Sequence, residues 1–173
     1  PIAFSDTKLP FLGPENAPVT LHVFNNYQCP ACKELDSDLG EVLAKYRSKV
    51  KVVFKNYPLP RHRYARLAAA AALAADRQDR FEEFHKALFE EQARLDVPKI
   101  DEIAERLDLD MRQFHADVND SAIKDIITRD LNEVNRFGIR FTPTVFVNGR
   151  CLRARNLEII FTAIEFELEQ RNR

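Results

Sequence analysis

The 173-residue sequence predicts an α/β protein, in which a mixed β-sheet with flanking helices is interrupted by a long helical insertion. A strand–helix–strand pattern opens the chain, and a strand–strand–helix pattern closes it. Between them, residues 61–137 keep a helical period without a convincing strand. We therefore expect a core built from residues 1–60 and 138–173, with residues 61–137 inserted as a helical subdomain.

The opening pattern consists of two apolar strands, Val19–Phe24 and Val50–Phe54, and a helix between them. The apolar residues of that helix recur with a period of about 3.6 and form one face, made of Leu35, Leu39, Val42, Leu43 and Tyr46. Two strands joined by such a right-handed crossover are expected to pair in parallel.

The inserted segment reads as several short helices, each with its own start signal. Asp79 with Glu82, and Asp110 with Gln113, have the spacing of a capping box. Pro98 suits the first turn of another helix. Proline lacks an N–H, and N–H groups in the first turn have no intrahelical acceptor. We therefore expect Asp79 and Asp110 to cap helices.

The closing pattern begins with a predicted strand, Thr144–Val147, followed by Asn148-Gly149, which is a strong signal for a two-residue hairpin turn. Residues 150–154 can return antiparallel, and Asn156 can cap a final amphipathic helix. Together with the two earlier strands, this hairpin predicts a sheet of four or five strands.

Charge and hydropathy exclude two classes of partner. Lys and Arg number 26 and Asp and Glu number 27, so the net charge of −1 gives no broad attraction for nucleic acid or an anionic membrane. The longest apolar run, residues 67–75, falls short of the roughly 20 residues that a membrane-spanning helix needs. We expect no nucleic-acid partner and no membrane span. Because the chain begins with Pro1, we expect it to be processed or trimmed.

The motif Cys29-Pro30-Ala31-Cys32 follows a predicted strand and starts a predicted helix. The N–H groups and positive dipole end of a helix stabilise a thiolate, and thiol pKa values in such motifs fall to about 3.5–7.5. Cys29 is the predicted nucleophile because it lies just outside the helix. Cys32, one turn into the helix and less exposed, is predicted to resolve the mixed disulfide that Cys29 forms.

The same cysteine spacing also fits half of a zinc site or a merely structural disulfide. A zinc site needs a second pair of ligands, and no paired spacing occurs among the remaining candidates, Cys151, His22, His62, His85 and His115. A structural bridge closing so small a loop would constrain the unfolded chain little. We expect no metal, and we expect Cys151 to be a buried, small apolar residue.

Two separated segments resemble those of a known family. Phe24–Lys33, which contains the two cysteines, resembles the active-site segment of the DsbA-like proteins of the thioredoxin superfamily. Phe141–Gly149 resembles their cis-proline segment. The resemblance spans nearly the whole chain, and it implies a thioredoxin-like fold with a helical insertion.

The resemblance also implies roles for residues around the cysteines. Pro143 would be cis and lie beside Cys29, leaving backbone groups free to pair with an extended peptide substrate. Thr142 would border the sulfurs, and Tyr27 would contribute to the substrate-binding surface.

The sequence departs from the family pattern at two positions that tune reactivity. Val23 stands six residues before the first cysteine, where superfamily members often carry a buried carboxylate that moves a proton. Ala31, in the Pro30-Ala31 dipeptide of the motif, stands where DsbA has a histidine. We expect a milder oxidant than DsbA.

The resemblance implies dithiol–disulfide exchange with protein substrates, an unidentified redox partner protein, and no metal or organic cofactor. The DsbA type favours a disulfide-forming oxidase in the bacterial periplasm or cell envelope. A reductase or isomerase uses the same two cysteines in another direction, so these activities stay open. A non-catalytic peptide-binding or chaperone module, with an apolar groove around Tyr27 and Pro143, stays open as well.

Overall fold

The computed structural model describes residues 1–153 and 155–172, which form two compact units. The sheet unit consists of Pro1–Asn25, Pro30–Lys55 and the described chain from Ile139 onward. The helical unit consists of Asn26–Cys29 and Asn56–Gly138. The short segment that carries the first cysteine therefore belongs with the helices. The division at residues 61 and 137 expected from the sequence stays a prediction.

The predicted α/β class and a five-stranded sheet are confirmed. The strands of the described chain are β1 (Phe11–Leu12), β2 (Val19–Asn25), β3 (Val50–Asn56), β4 (Thr144–Val147) and β5 (Arg150–Cys151). The helices are α1 (Pro30–Lys45), α2 (Ala65–Asp76), α3 (Phe81–Glu90), α4 (Val97–Arg106), α5 (Met111–Val118), α6 (Ser121–Arg136) and α7 (Leu157–Arg171). A short 3-10 helix, Gln92–Arg94, lies between α3 and α4.

The strands lie in the order β1-β3-β2-β4-β5. β1 pairs antiparallel with β3, and β4 pairs antiparallel with both β2 and β5. β1 was not predicted from the sequence, because two residues are too few to show an alternating pattern. The two central strands, β2 and β3, are buried along almost their whole length, which explains their nearly continuous apolar sequences. Leu35, Leu39 and Val42 form the buried face of α1.

The β4–β5 hairpin has the turn that its sequence predicts. Asn148 and Gly149 both have positive φ, at 45° and 78°. A Cβ atom on Gly149 would lie 2.2 Å from the carbonyl oxygen of Ile2, so only glycine fits this close approach. After the hairpin, the Asn156 side chain accepts a hydrogen bond from the Ile159 N–H and caps α7, as expected.

The helical unit contains α2 to α6, and aspartate side chains start three of these helices. Asp96 caps α4, whose first turn contains Pro98, and Asp110 and Asp120 cap α5 and α6. α2 is buried throughout Ala68–Ala75, since small side chains allow its neighbours to approach closely. Within residues 1–153 and 155–172, no helix combines the length and apolar character needed to cross a membrane.

The predicted cap at Asp79 is wrong. α3 begins at Phe81, and Arg80 is its N-cap. Asp79 instead has a left-handed φ of 58° and belongs to the turn that closes α2. In that turn, the Arg80 N–H donates to the Ala75 carbonyl at 3.0 Å.

Two buried ionisable residues of the sheet unit, His22 and Lys55, have hydrogen-bond partners in the N-terminal segment of the chain. The Nε2 of buried His22 lies 2.9 Å from Oδ1 of Asp6, and it is the donor because an ionised carboxylate can only accept. Lys55 is fully buried, and its Nζ donates to the carbonyl oxygen of Ser5 at 2.8 Å. These contacts fix the first residues of the chain against β2 and β3.

Candidate active site

The two cysteines lie at the N-terminal end of α1. Cys29 immediately precedes Pro30, the first residue of the helix, and Cys32 lies in the first turn. Pro30 is favourable here, because the first N–H groups of a helix have no intrahelical acceptor. Neither cysteine is in a disulfide bond. Cys29 is 8% exposed and Cys32 is 2% exposed, so Cys29 is the more accessible residue of the pair.

Gln92 holds the backbone that carries Cys29. Its Nε2 donates two hydrogen bonds, to the carbonyl oxygen of Tyr27 at 2.8 Å and to that of Cys29 at 3.0 Å. The Cys29 N–H donates in turn to the Asn26 carbonyl at 3.1 Å. The peptide groups on both sides of Cys29 are therefore tied down within the helical unit.

The residues before Cys29 are held by further contacts with the helical unit. Gln28 Oε1 accepts a hydrogen bond from the Tyr64 N–H at 2.7 Å. Asn26 Oδ1 accepts from the Gln28 N–H at 3.0 Å, which orients the amide so that its Nδ2 donates to His62 Nδ1 at 2.7 Å. We call Asn26–Cys29 the redox segment.

Tyr27, within the redox segment, is almost completely buried, at 4% exposure. Its hydroxyl lies 2.7 Å from Nδ1 of His85, which is itself 1% exposed. The Tyr27 ring packs against the ring of Phe89, with 5.1 Å between centroids. Tyr27 thus offers a substrate almost no surface, so the contact expected from the resemblance stays a proposal. The observed contacts of its side chain anchor the redox segment to His85 and Phe89 of α3.

Reasoning from the sequence missed Gln92 and His85 as parts of this region. For His85 a signal existed, because it follows Phe81 by four residues and precedes Phe89 by four, which places it on the apolar face of α3. Gln92 gave no such signal, since a glutamine after a helix is most simply a solvated residue.

Thr142 and Pro143 lead into β4, and the peptide bond between them is cis. The next residue, Thr144, pairs with Phe24 near the end of β2, and its Oγ1 donates to the Phe141 carbonyl at 2.6 Å. Thr142 is buried, whereas Phe141 is 53% exposed. The loop therefore enters the sheet beside the end of β2, the strand that leads into the redox segment.

The expectation of a buried Cys151 is wrong. Cys151 is exposed, because it lies in β5, a two-residue strand at the edge of the sheet. Partial desolvation nevertheless raises the pKa of its thiol. Its Sγ is 3.6 Å from the Leu152 carbonyl, a distance typical of a weak sulfur donor. Cys151 is accessible but is less ionised at neutral pH than an ordinary cysteine.

Val23 is buried in β2, so an apolar side chain stands where superfamily members often carry a carboxylate. In the described part of the chain, no group of three or more His, Cys, Asp or Glu residues is arranged to hold a metal ion.

Comparisons with known proteins agree with this geometry. A family model described as Thioredoxin matches residues 5–165. The Na(+)/H(+) antiporter NhaA 3 of Salinispora tropica is 37% identical over 139 residues, which are 80% of this chain but 21% of that protein. The chain thus spans about a fifth of the length of the curated relatives it matches.

Two crystal structures share the fold over nearly the whole chain. BdbD from Bacillus subtilis, in its oxidised form, has a TM-score of 0.84 and 26% identity, with 95% of each chain covered. The thiol-disulfide exchange protein alpha-DsbA2 from Wolbachia pipientis has a TM-score of 0.84 and 23% identity, with 93% of this chain and 88% of that chain covered. This chain belongs to the Thioredoxin family and is a DsbA-like member of the thioredoxin superfamily.

Proposed function

We propose that this protein is a thiol-disulfide oxidoreductase. Its Cys29–Cys32 pair exchanges electrons with the cysteines of protein substrates. The observation that carries the proposal is the pair of reduced cysteines at the N-terminal end of α1, of which Cys29 is the more accessible. Family membership supports it, and so does the fold shared with a thiol-disulfide exchange protein.

The exchange proceeds in two displacement steps. To reduce a substrate, the Cys29 thiolate attacks one sulfur of the substrate disulfide, forms a mixed disulfide and releases the other sulfur as a thiolate. The Cys32 thiolate then attacks Cys29 Sγ, which forms the Cys29–Cys32 disulfide and releases the second substrate thiolate. The substrate gains two electrons, and the protein loses two. Oxidation of a substrate dithiol is the reverse sequence.

The surrounding residues have supporting roles in this proposal. Pro30 starts the helix whose unpaired N–H groups favour a thiolate at Cys29. Thr142 and Pro143 offer backbone to an extended substrate. Tyr27 anchors the redox segment through its buried side chain, whose hydroxyl is already bonded to His85, rather than through exposed surface.

We further propose a disulfide-forming oxidase of moderate strength in the bacterial cell envelope. Ala31 supplies no positive charge next to the thiols to stabilise the Cys29 thiolate, which favours a potential below that of DsbA. The bacterial sources of the structural relatives and the persistence of disulfides in the periplasm support the location. A reduction potential measured by equilibration with glutathione buffers distinguishes an oxidase near about −120 mV from a reductase near about −270 mV.

The central test measures reaction of the reduced protein with a disulfide-linked fluorescent peptide. We expect Cys29→Ser to abolish exchange, and Cys32→Ser to trap a stable mixed disulfide at Cys29, because the resolving attack is removed. Cys151→Ser is the matched control and should react like the parent protein. Full exchange by Cys29→Ser would remove Cys29 as the nucleophile. No reaction of the parent protein or of any variant would show an inert binding module instead.

A further inference from the structure

A concave surface of the helical unit lies beside the redox segment but is not part of the proposed chemistry. It is a cleft of about 530 Å³, within the range of about 300–1,000 Å³ typical of ligand sites. Its walls are apolar, with Pro58 and Leu59 before α2 on one side and Leu131 and Val134 of α6 on the other. We call this surface the basic cleft.

The charges of the basic cleft are all positive. Arg63 and Arg66 line it, no carboxylate does, and Arg61 lies two residues before Arg63. All three arginines are exposed. Within residues 1–153 and 155–172, none of the three forms an ion pair or a side-chain hydrogen bond. Because the whole chain has a net charge of −1, this concentration of unpaired positive charge is local.

One side chain connects the basic cleft with the redox segment. His62 lines the cleft, and its Nδ1 accepts the hydrogen bond from Nδ2 of Asn26 at 2.7 Å. Asn26 starts the redox segment, which ends at Cys29. The basic cleft therefore adjoins the segment that carries Cys29.

We propose that the basic cleft docks an acidic segment of the substrate protein, in which aspartate or glutamate residues flank an apolar side chain. The apolar walls would contact the apolar side chain, and the unpaired guanidinium groups would each donate hydrogen bonds to a carboxylate, for which their planar donors are suited. This inference rests on the proposed exchange activity and adds a class of preferred substrates to it.

A protein segment fits the basic cleft better than a lipid surface does. Recognition of anionic lipids typically uses clusters of about four to eight basic residues on an exposed face or helix. Here the arginines are few, and they surround a concave, apolar site. That shape suits side chains that project from a partner.

The experiment compares two short synthetic peptides, each joined by a disulfide to a fluorescent thiol. One has glutamates on both sides of a leucine next to its cysteine, and the other has glutamines at those positions. We expect the parent protein to react about three- to tenfold faster with the acidic peptide, given two ion pairs formed by exposed arginines. This preference should fall with added salt.

The cleft variant is Arg63→Gln/Arg66→Gln, and it should lose the preference while it keeps the rate with the neutral peptide. The matched control is Arg47→Gln/Arg112→Gln, which removes the same charge from two exposed arginines that do not line the cleft, and should keep the preference. If both variants lost the preference for the acidic peptide equally, net charge alone would explain that preference, and the proposal would be overturned.

A binding measurement separates this inference from the proposed activity. A Cys29→Ser/Cys32→Ser protein should bind the acidic peptide without its cysteine, as measured by fluorescence anisotropy, and Arg63→Gln/Arg66→Gln should weaken that binding by about three- to tenfold. Arginine-dependent binding without exchange by the parent would refute the activity and keep the docking site. Arginine-dependent binding to phosphatidylglycerol vesicles without a peptide preference would refute the docking site.

Discussion

Gln92 donates hydrogen bonds to the backbone carbonyls of Tyr27 and Cys29, although it lies 63 positions after Cys29 in the chain. We expect Gln92→Ala to slow exchange with a disulfide peptide by about tenfold, because small losses of positioning at a reacting group reduce rates strongly. The second-order rate constant of exchange measures this effect.

Gln78→Ala is the matched control for Gln92→Ala. Gln78 also makes two backbone hydrogen bonds within the helical unit, with the N–H and the carbonyl of Asp110. Both substitutions should lower the free energy of unfolding by about 1–2 kcal/mol. Only Gln92→Ala should alter exchange, so equal rates for the two variants would remove Gln92 from the set of positioning residues.

Asp6 makes the stability of the sheet unit depend on pH in the acid range. Burial raises the pKa of Asp6, but the hydrogen bond and charge of His22, with the charges of Lys55 and Lys51, lower it more, so the pKa lies below its ordinary value. Its stabilisation is therefore present above about pH 4 and is lost as the pH falls further. We expect Asp6→Asn to cost about 0.5–1 kcal/mol at pH 7, after allowance for screening of a carboxylate 37% exposed.

Urea unfolding of the parent and the variants at pH 7 and pH 3 tests this expectation. Asp101→Asn is the control, because Asp101 makes a similar contact with His115 at 3.0 Å, where His115 is far more exposed than His22. The cost of Asp101→Asn should be the smaller one at pH 7. A cost of Asp6→Asn that persists undiminished at pH 3 would contradict the assigned pKa shift.

At the scale of secondary structure, two glycines of the sheet unit should respond in opposite ways to the same substitution. Gly149→Ala places a Cβ against the Ile2 backbone and a side chain at φ 78°, so we expect a loss of at least about 2 kcal/mol. Gly40 lies inside α1 with open space around its Cα. Gly40→Ala should therefore stabilise the protein by about 0.5–1 kcal/mol.

Thermal and urea unfolding measure both glycine variants. If the two variants changed the unfolding free energy by similar amounts, backbone entropy alone would determine the effect of alanine at position 149. The close approach of Ile2 would then have no energetic weight.

Helix starts could be predicted where the cap is a local contact. Asp110 and Gln113 are three residues apart, and the Asp110 side chain accepts a hydrogen bond from the Gln113 N–H, as their spacing predicts. Asp79 has the same local pattern with Glu82, but closure of the preceding helix places it at positive φ, where it cannot cap α3. The exposure of Cys151 was missed for a related reason, since the sequence does not show that β5 is a short edge strand.

For the whole molecule, the order of elements could be predicted from changes in hydrophobic period, and the cysteine pair from its motif. The assignment of the redox segment to the helical unit could not. It depends on contacts of Gln92, His62 and His85 with residues far away in the sequence, and no local pattern encodes those contacts. The basic cleft was missed as well, because its walls come from two separated helices and a loop.

The pairing of β2 with β4 also determines when the protein can finish folding during its synthesis. Asn148 accepts a hydrogen bond from the Thr20 N–H across 128 positions of the chain. At roughly 5–20 residues per second, a ribosome takes on the order of ten seconds to make the intervening chain. For that time the nascent β2 has an open edge, which is a template for wrong pairing. The helices can assemble during this interval, and β4 can complete the sheet only after Thr144–Val147 has been synthesised.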